Sequence, residues 1–151
     1  LSLILKNCVS RVSDSAGINS TETDRPHPVV YFTIRNIVML YTEILNSNRD
    51  FLCLYRKGRC IVSRNVVVYF KKNGLSYNRL GITAGKKVGN AVKRNRAKRI
   101  IRQAYRENEL LFPVGIDMVI VARASAAEVK SGAVSSFLSG RAVREINSCH
   151  D

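Results

Sequence analysis

The segment 79–106 limits the possible folds of this chain more than any other, because it is both strongly basic and regularly patterned. It contains ten Lys and Arg residues and no Asp or Glu. Its apolar residues collect on one side of a helical wheel, as the buried stripe of an amphipathic helix does. These residues are Ala97, Ile100, Ile101 and Ala104, with Tyr105 at the margin. The pattern predicts a long helix that Asn90 caps, that runs to about Asn108 and that packs against another layer.

The basic residues of this helix also follow a pattern. A straight ridge with a spacing of four is formed by Arg94, Lys98, Arg102 and Arg106, and Arg96 and Arg99 flank the opposite side. Like charges at this spacing destabilise a helix by about 0.2–0.5 kcal/mol per pair. Phosphates opposite the ridge would reverse the sign of that term. Because solvated helical faces usually mix Glu with Lys, the ridge favours an RNA-facing surface over a merely solvated one.

The charge of the whole chain agrees with a polyanionic partner. The formal net charge is +14, and binding to phosphates releases their condensed counterions. Residues 1–38 carry four basic and three acidic residues, which leaves 21 basic and eight acidic residues in 39–151. We therefore expect a folded domain over 39–146, preceded by a disordered or mis-started extension over 1–38 and followed by a short tail over 147–151.

The remaining elements predict an α+β fold without internal repeats. In chain order they are a helix from Asn46 or Ser47 to about Arg56, strands over 60–70, 79–84 and 116–122, and a helix over 126–138 that Ser125 caps and Gly140 ends. The order is α-β-β-α-β-α, with one more strand if 60–70 bends into two.

Protein-borne catalysis is not expected. The four cysteines form no C-x-x-C pair, and the two histidines, His27 and His150, lie near the ends of the chain. The acids after Met39 do not cluster as a two-metal nuclease requires. Asp117, inside an apolar strand, reads as a structural hydrogen-bond acceptor. We expect no catalytic residue, no metal site and, from the isolated thiols, a reducing cytoplasm.

Two further stretches of the sequence come close to familiar motifs without matching them. The apolar stretch 28–45 is interrupted by Arg35, Asn36 and Glu43, so a membrane span of ~20 apolar residues is not expected. The loop 85–90 has the wrong spacing for a phosphate-binding P-loop. Its glycines still allow close backbone approach, and the helix N-terminus adds a positive dipole.

The segment 87–102 resembles the signature segment of the bacterial ribonuclease P protein family. It includes that family's RNR motif, here Arg94-Asn95-Arg96. Further stretches that resemble the family are Asn48-Arg49-Asp50-Phe51, Tyr55-Arg56-Lys57-Gly58, Asn78-Arg79-Leu80-Gly81-Ile82 and the strand 116–123. The likeness covers about 39–146.

The resemblance implies an α/β sandwich in which a small mixed four-stranded sheet packs against helices, with a left-handed β-α-β crossover. It also implies two partners, the catalytic ribonuclease P RNA and precursor tRNA, with no membrane and no small-molecule substrate. The RNA and its Mg²⁺ ions would hydrolyse the precursor to release the 5′ leader, and the protein would bind both RNAs.

The resemblance assigns residues to two RNA contacts. Arg94, Asn95, Arg96, Lys98, Arg99 and Arg102 match the family's RNR segment. With the neighbouring loop and helix residues, the predicted RNA-binding set is Lys86, Lys87, Asn90, Lys93, Arg94, Asn95, Arg96, Lys98, Arg99, Arg102 and Arg106. The leader cleft would contain Phe51, Tyr55 and Tyr69, since stacking on single-stranded bases contributes ~1–3 kcal/mol per base. The alternative for Phe51 and Tyr55, at i and i+4, is that they are ordinary core residues.

Two other functions remain open at this point. One is a structural RNA-binding protein of ribosomal-protein type, which needs the basic ridge but not an aromatic cleft. A weaker alternative is a protein that binds anionic membranes, against which the lack of large apolar residues opposite the ridge argues.

Overall fold

The computed structural model describes residue 39 and residues 41–149. The proposed extension 1–38 and the last two residues of the proposed tail lie outside them, so these domain limits stay predictions. Among the described residues, no helix combines the length and the apolar composition that crossing a membrane requires.

The described residues form five strands and four α-helices. The strands are β1 (Thr42–Ile44), β2 (Arg59–Val62), β3 (Val66–Lys72), β4 (Asn78–Ala84) and β5 (Ile116–Ala122). The helices are α1 (Asn48–Lys57), α2 (Ala91–Asn108), α3 (Ser131–Phe137) and α4 (Val143–Asn147). Short 3-10 turns cover Lys86–Val88, Glu109–Leu111 and Ala124–Ala127, and a π-helical turn over Leu138–Ala142 joins α3 to α4.

The central prediction, a long basic helix, is confirmed. The Asn90 Oδ1 accepts a hydrogen bond of 2.9 Å from the Lys93 backbone N–H, as an N-cap does, and the helix ends at Asn108. The strand 116–122 has the predicted bounds, and the predicted strand 60–70 does bend into two, β2 and β3.

The predicted final helix is wrong at both ends. Ser125 does not cap a helix, because its hydroxyl lies 3.0 Å from both the Arg64 carbonyl oxygen and the Asn65 side-chain oxygen in the turn before β3, and it donates its one proton there. Gly140 does not end the helix either. Leu138, Ala142 and Ile146 are buried at i, i+4 and i+8, and their packing carries the helical path past the glycine.

The sheet is mixed, in the order β1-β4-β5-β3-β2. β1 and β5 run parallel to β4, whereas β3 pairs antiparallel with both β5 and β2. The expected four strands are therefore corrected to five among the described residues. The sequence pattern did not predict β1, because this strand is only three residues long. The β4-α2-β5 unit joins parallel neighbours, and the left-handed sense of its crossover stays a prediction.

The sheet has a core on each face, which confirms the α+β sandwich. The main core packs Val68, Phe70 and Ile120 against α2 and the C-terminal helices. The smaller core, on the opposite face, contains Leu54 of α1, Leu45 and Val119. Because successive residues of a strand face opposite sides, β5 contributes to both cores.

The edge strand β1 is held by side chains at the C-terminal end of α2. The Glu109 carboxylate accepts hydrogen bonds from the Thr42 hydroxyl, at 2.7 Å, and from the Tyr41 backbone N–H, at 2.9 Å. The Tyr105 hydroxyl lies 3.0 Å from the Thr42 hydroxyl, and its ring stacks on Phe112 with a centroid distance of 5.4 Å. Tyr105 is therefore a fully buried core residue rather than a margin residue.

Burial raises the pKa of Tyr105 from its usual 10.0 to about 12. The folded protein therefore retains this proton at pH values where the unfolded chain has lost it, so stability is complete below pH 10 and falls as the pH rises towards 12. We expect a loss of about 1 kcal/mol in the free energy of unfolding between pH 10 and 11, because the unfolded tyrosine is already half ionised at pH 10. Urea denaturation would measure it. The Tyr105→Phe variant should lack this component, and an equal loss in that variant would contradict the assignment.

Candidate RNA interface

Three aromatic side chains meet on the α1 face of the sheet. The rings of Tyr55 and Tyr69 form a T-shaped pair with centroids 5.0 Å apart, and the Phe51 ring lies 6.5 Å from that of Tyr55. Phe51 and Tyr55 border a cleft of 310 Å³ that is also lined by Asn48, Leu52 and Thr83, and Tyr69 adjoins it through its contact with Tyr55. Tyr55 is 39% exposed, whereas Leu54 is the residue of α1 that enters the core. The structure therefore brings the three sequence-selected aromatics together, and Tyr55 does not fit the description of an ordinary core residue.

A glycine sets the position of the Phe51 ring. A Cβ atom at Gly81 would lie 2.5 Å from the Phe51 Cζ, which is closer than two carbon atoms can approach. The ring therefore lies directly against the β4 backbone. The Tyr55 hydroxyl is 3.4 Å from the Thr83 hydroxyl on the same strand, so α1 and β4 form the two walls of the cleft.

Arg79 holds α1 against the sheet. Its guanidinium donates to both carboxylate oxygens of Asp117, at 2.7 and 2.5 Å, and to Asp50 of α1 at 3.0 Å. Hydrogen bonding to Asp117 raises the pKa of Arg79 above its usual value. Asp117 also accepts from the Asn73 amide at 2.9 Å, which confirms it as a structural acceptor. Arg79 is thus engaged by carboxylates, and its charge does not belong to the RNA-facing group.

The loop 85–90, which we call the basic loop, begins where the cleft ends. Thr83 lines the cleft and is followed by Gly85 and the 3-10 turn with Lys86 and Lys87, both exposed. The Arg94 guanidinium donates to the Gly89 carbonyl at 2.9 Å and so folds the loop back onto the first turn of α2. Cleft, loop and helix N-terminus are therefore contiguous at one end of β4.

The predicted RNA-binding side chains divide into two groups by exposure. The exposed group contains Lys86, Lys87, Asn90, Lys93, Asn95, Arg96 and Arg99. The half-buried group contains Arg94, Lys98, Arg102 and Arg106, which are the members of the predicted ridge. The ridge thus lies beside the buried stripe, because α2 packs against both β4 and the C-terminal helices. The side chains that project furthest from the fold are the flanking ones.

Two arginines at this end of the sheet were not selected from the sequence. Val66 and Ala84 both pair with Ala122, so the turn before β3 and the residue after β5 lie at the edge where the basic loop starts. Arg64 and Arg123 are exposed there, and the Arg123 guanidinium donates to the Ser63 carbonyl at 2.9 Å. The sequence signal that could have identified Arg123 is a basic residue directly after an apolar strand, since the C-terminal ends of parallel strands lie at the same edge of a sheet.

The basic loop depends on a backbone conformation that only glycine adopts readily. Gly89 has φ 125° and ψ −152°. We expect Gly89→Ala to lower the free energy of unfolding by about 1–3 kcal/mol, as measured by urea denaturation. Gly85→Ala is the matched control, because Gly85 has an extended backbone and nothing lies within 4 Å of a Cβ built there. Equal losses in the two variants would show that the strain at Gly89 is not the cause.

Comparisons with known proteins agree on one family. A family model described as Ribonuclease P matches residues 39–144. The chain is 42% identical over 97 residues to the ribonuclease P protein component of Lachnoclostridium phytofermentans, a match that covers 64% of this chain and 84% of that protein. The protein component of Thermotoga maritima is 41% identical over 86 residues, covering 57% of this chain and 74% of the relative.

Solved structures show the same similarity. The RNase P protein from Thermotoga maritima matches with a TM-score of 0.61 and 36% identity, covering 68% of this chain and 96% of that one. The RNase P protein of Staphylococcus aureus matches with a TM-score of 0.58 and 32% identity, covering 69% and 94%. Sequence and fold therefore support the same assignment.

Proposed function

Because this chain belongs to the bacterial ribonuclease P protein family, we propose that one continuous surface of it binds both RNAs of the reaction. The chain is the protein subunit of an endoribonuclease that matures the 5′ end of tRNA, and its family implies partnership with the ribonuclease P RNA. In the proposal, the basic loop and α2 bind that RNA, and the aromatic cleft holds the 5′ leader of precursor tRNA.

The observation that carries the proposal is the continuity of cleft and basic loop at Thr83. A leader is single-stranded, so its bases can stack on Tyr55 and Tyr69 whatever their sequence. Its phosphates would continue past Thr83 towards the exposed cations of the loop, Lys86 and Lys87. Arg94 is positioned to order this loop through Gly89, and the projecting residues of α2, such as Arg96 and Arg99, are available to phosphates of the RNA subunit.

Magnesium fits the proposal as a cofactor bound mainly by RNA. Within the described residues, no group of three His, Cys, Asp or Glu side chains could hold a metal ion. The carboxylates of Asp50 in α1 and Asp117 in β5 both accept hydrogen bonds from Arg79. These residues do not form a metal site, so no chemical step is assigned to them. The protein's part is to bind and orient the substrate.

The alternative of a structural RNA-binding protein is not favoured by these comparisons. A purely structural binder has no need of an aromatic cleft beside its basic loop. The described surface does not support the membrane-binding alternative, since the exposed face of α2 is mostly polar and rich in Arg and Lys.

Cleavage of precursor tRNA by a bacterial ribonuclease P RNA tests the proposal. At low Mg²⁺ concentration, where the RNA alone is slow, we expect addition of this protein to raise the cleavage rate strongly, because its cations offset phosphate repulsion between the two RNAs. A precursor with a leader of several nucleotides should gain more than one with a single-nucleotide leader. Binding of the protein to both RNAs without any change in cleavage would contradict the proposal.

A further inference from the structure

A second cavity lies at the opposite end of the sheet from the basic loop. It has a volume of 280 Å³ and is bordered by the start of β2, the end of β3, the start of β5 and the C-terminal helix. Its floor is apolar and consists of the buried side chains Phe70, Ile116 and Ile146. β5 runs from Ile116 at this end to Ala122 at the other, a distance of roughly 20 Å. The cavity is therefore separate from the proposed RNA surface.

The rim of this cavity is positively charged. Its polar lining residues are Lys57, Arg59, Lys71, Lys72 and Cys149. Within the described part of the chain, the ion pairs involve Arg79 and Arg141, and none joins an acid to Lys57, Arg59 or Lys71. These three cations surround one opening, where an anion would replace their mutual repulsion with attraction.

Arg59 contacts the C-terminal segment beside the cavity. Its guanidinium donates a hydrogen bond to the Cys149 Sγ, which connects the first residue of β2 to the segment after α4. The Arg59 backbone pairs with Phe70 of the floor. A charged group on the rim is thus held directly over an apolar surface.

From this combination we infer that the cavity binds a nucleotide phosphate. An inorganic anion would gain nothing from the apolar floor, and a purely apolar ligand would leave the cationic rim unpaired. A nucleotide satisfies both, with its base against Phe70 and Ile146 and its phosphate at Lys57, Arg59 and Lys71. The volume is near the lower end of the ~300–1,000 Å³ usual for small-ligand sites. The nucleotide is either free or part of an RNA strand, and this inference does not depend on the function proposed above.

Cys149 provides the test, because a ligand in the cavity covers its thiol. The full chain would be treated with iodoacetamide in the presence and in the absence of adenosine 5′-monophosphate. Mass spectrometry would then measure the rate at which each cysteine is alkylated. We expect the nucleotide to slow alkylation of Cys149 and not of Cys60. Cys60 is exposed and is not one of the residues that line the cavity. Adenosine and inorganic phosphate at the same concentration should protect Cys149 far less.

Two variants locate the binding. Lys57→Ala/Lys71→Ala should raise the nucleotide concentration that half-protects Cys149 by about tenfold or more, since each substitution removes a charge-assisted contact with the phosphate. Arg96→Ala/Arg99→Ala, on the distant basic helix, should leave that concentration unchanged. A short single-stranded RNA tested in this second variant distinguishes the two sources: protection by the oligonucleotide alone assigns the site to an RNA strand, and protection by the mononucleotide assigns it to a free nucleotide.

Three outcomes would overturn the inference. One is that neither the mononucleotide nor the oligonucleotide protects Cys149. Another is that phosphate or adenosine alone protects as well as the nucleotide, which would mean that rim or floor acts by itself. The third is that protection persists in Lys57→Ala/Lys71→Ala.

Discussion

Replacement of both Arg96 and Arg99 with alanine is expected to weaken binding of the ribonuclease P RNA by roughly a hundredfold. Both side chains project from α2 into solvent, so their loss leaves the fold unchanged. A hydrogen bond to a charged group contributes about 1.5–3 kcal/mol, and the lower value suits an exposed position. The dependence of log affinity on log salt should also become shallower by about 1.4–1.8, since two phosphate contacts are lost. Filter binding over a range of KCl concentrations measures both quantities.

A matched control separates local contacts from total charge. Arg141→Ala/Arg144→Ala removes the same charge from the C-terminal helical region, where Arg141 pairs with Glu145 at 2.6 Å. This variant should change RNA affinity less than threefold, in line with the small contribution of exposed charges far from the contact. If both variants lose equal affinity, the net charge of the protein rather than α2 governs binding. Arg94 is less suitable for this test, because its guanidinium also holds the Gly89 carbonyl.

Replacement of Tyr55 and Tyr69 with leucine is expected to slow processing of precursors with long leaders by at least about thirtyfold under kcat/KM conditions. Leucine retains apolar bulk beside Phe51 and removes the two surfaces on which bases can stack. Stacking contributes about 1–3 kcal/mol per base, so the loss of two platforms at the low end of that range gives this factor. A precursor with a one-nucleotide leader should be processed almost as before, since it does not reach the cleft.

The conservative double variant provides the comparison. Tyr55→Phe/Tyr69→Phe keeps both rings and loses only the hydroxyls, including the 3.4 Å contact between Tyr55 and Thr83. It should retain most of the activity on long leaders. An effect of the leucine variant that is the same for long and short leaders would place the defect outside leader binding.

The elements that sequence patterns predicted well are those that local interactions determine. Asn90 caps α2 through a hydrogen bond three residues along the chain, and the apolar stripe of α2 repeats within one helix. Apart from Asp117, β5 is an apolar run, as expected of a strand buried on both faces. Such features can be read from a window of a few residues.

The features that the patterns missed depend on residues far apart in the chain. Arg79 was counted among the basic residues, yet its partners Asp50 and Asp117 lie 29 and 38 residues away. β1 forms only because β4 provides a parallel partner and Glu109 holds its backbone. The half-burial of the Arg94 ridge likewise follows from the C-terminal helices beside α2, which a helical wheel does not represent.

The unequal size of the two cores has a consequence for local opening. α1 contributes a single fully buried side chain, Leu54, to the small core. Its further attachments to the sheet are the Arg79 bridge through Asp50 and the partly exposed rings of Phe51 and Tyr55. α2, by contrast, buries five residues. The free energy needed to detach α1 is therefore smaller than that needed to unfold the sheet with α2, and one wall of the cleft belongs to a separately opening unit. A strand of RNA bound between α1 and β4 would stabilise the attached position of α1. Leader binding would therefore make α1 and the sheet unfold more cooperatively.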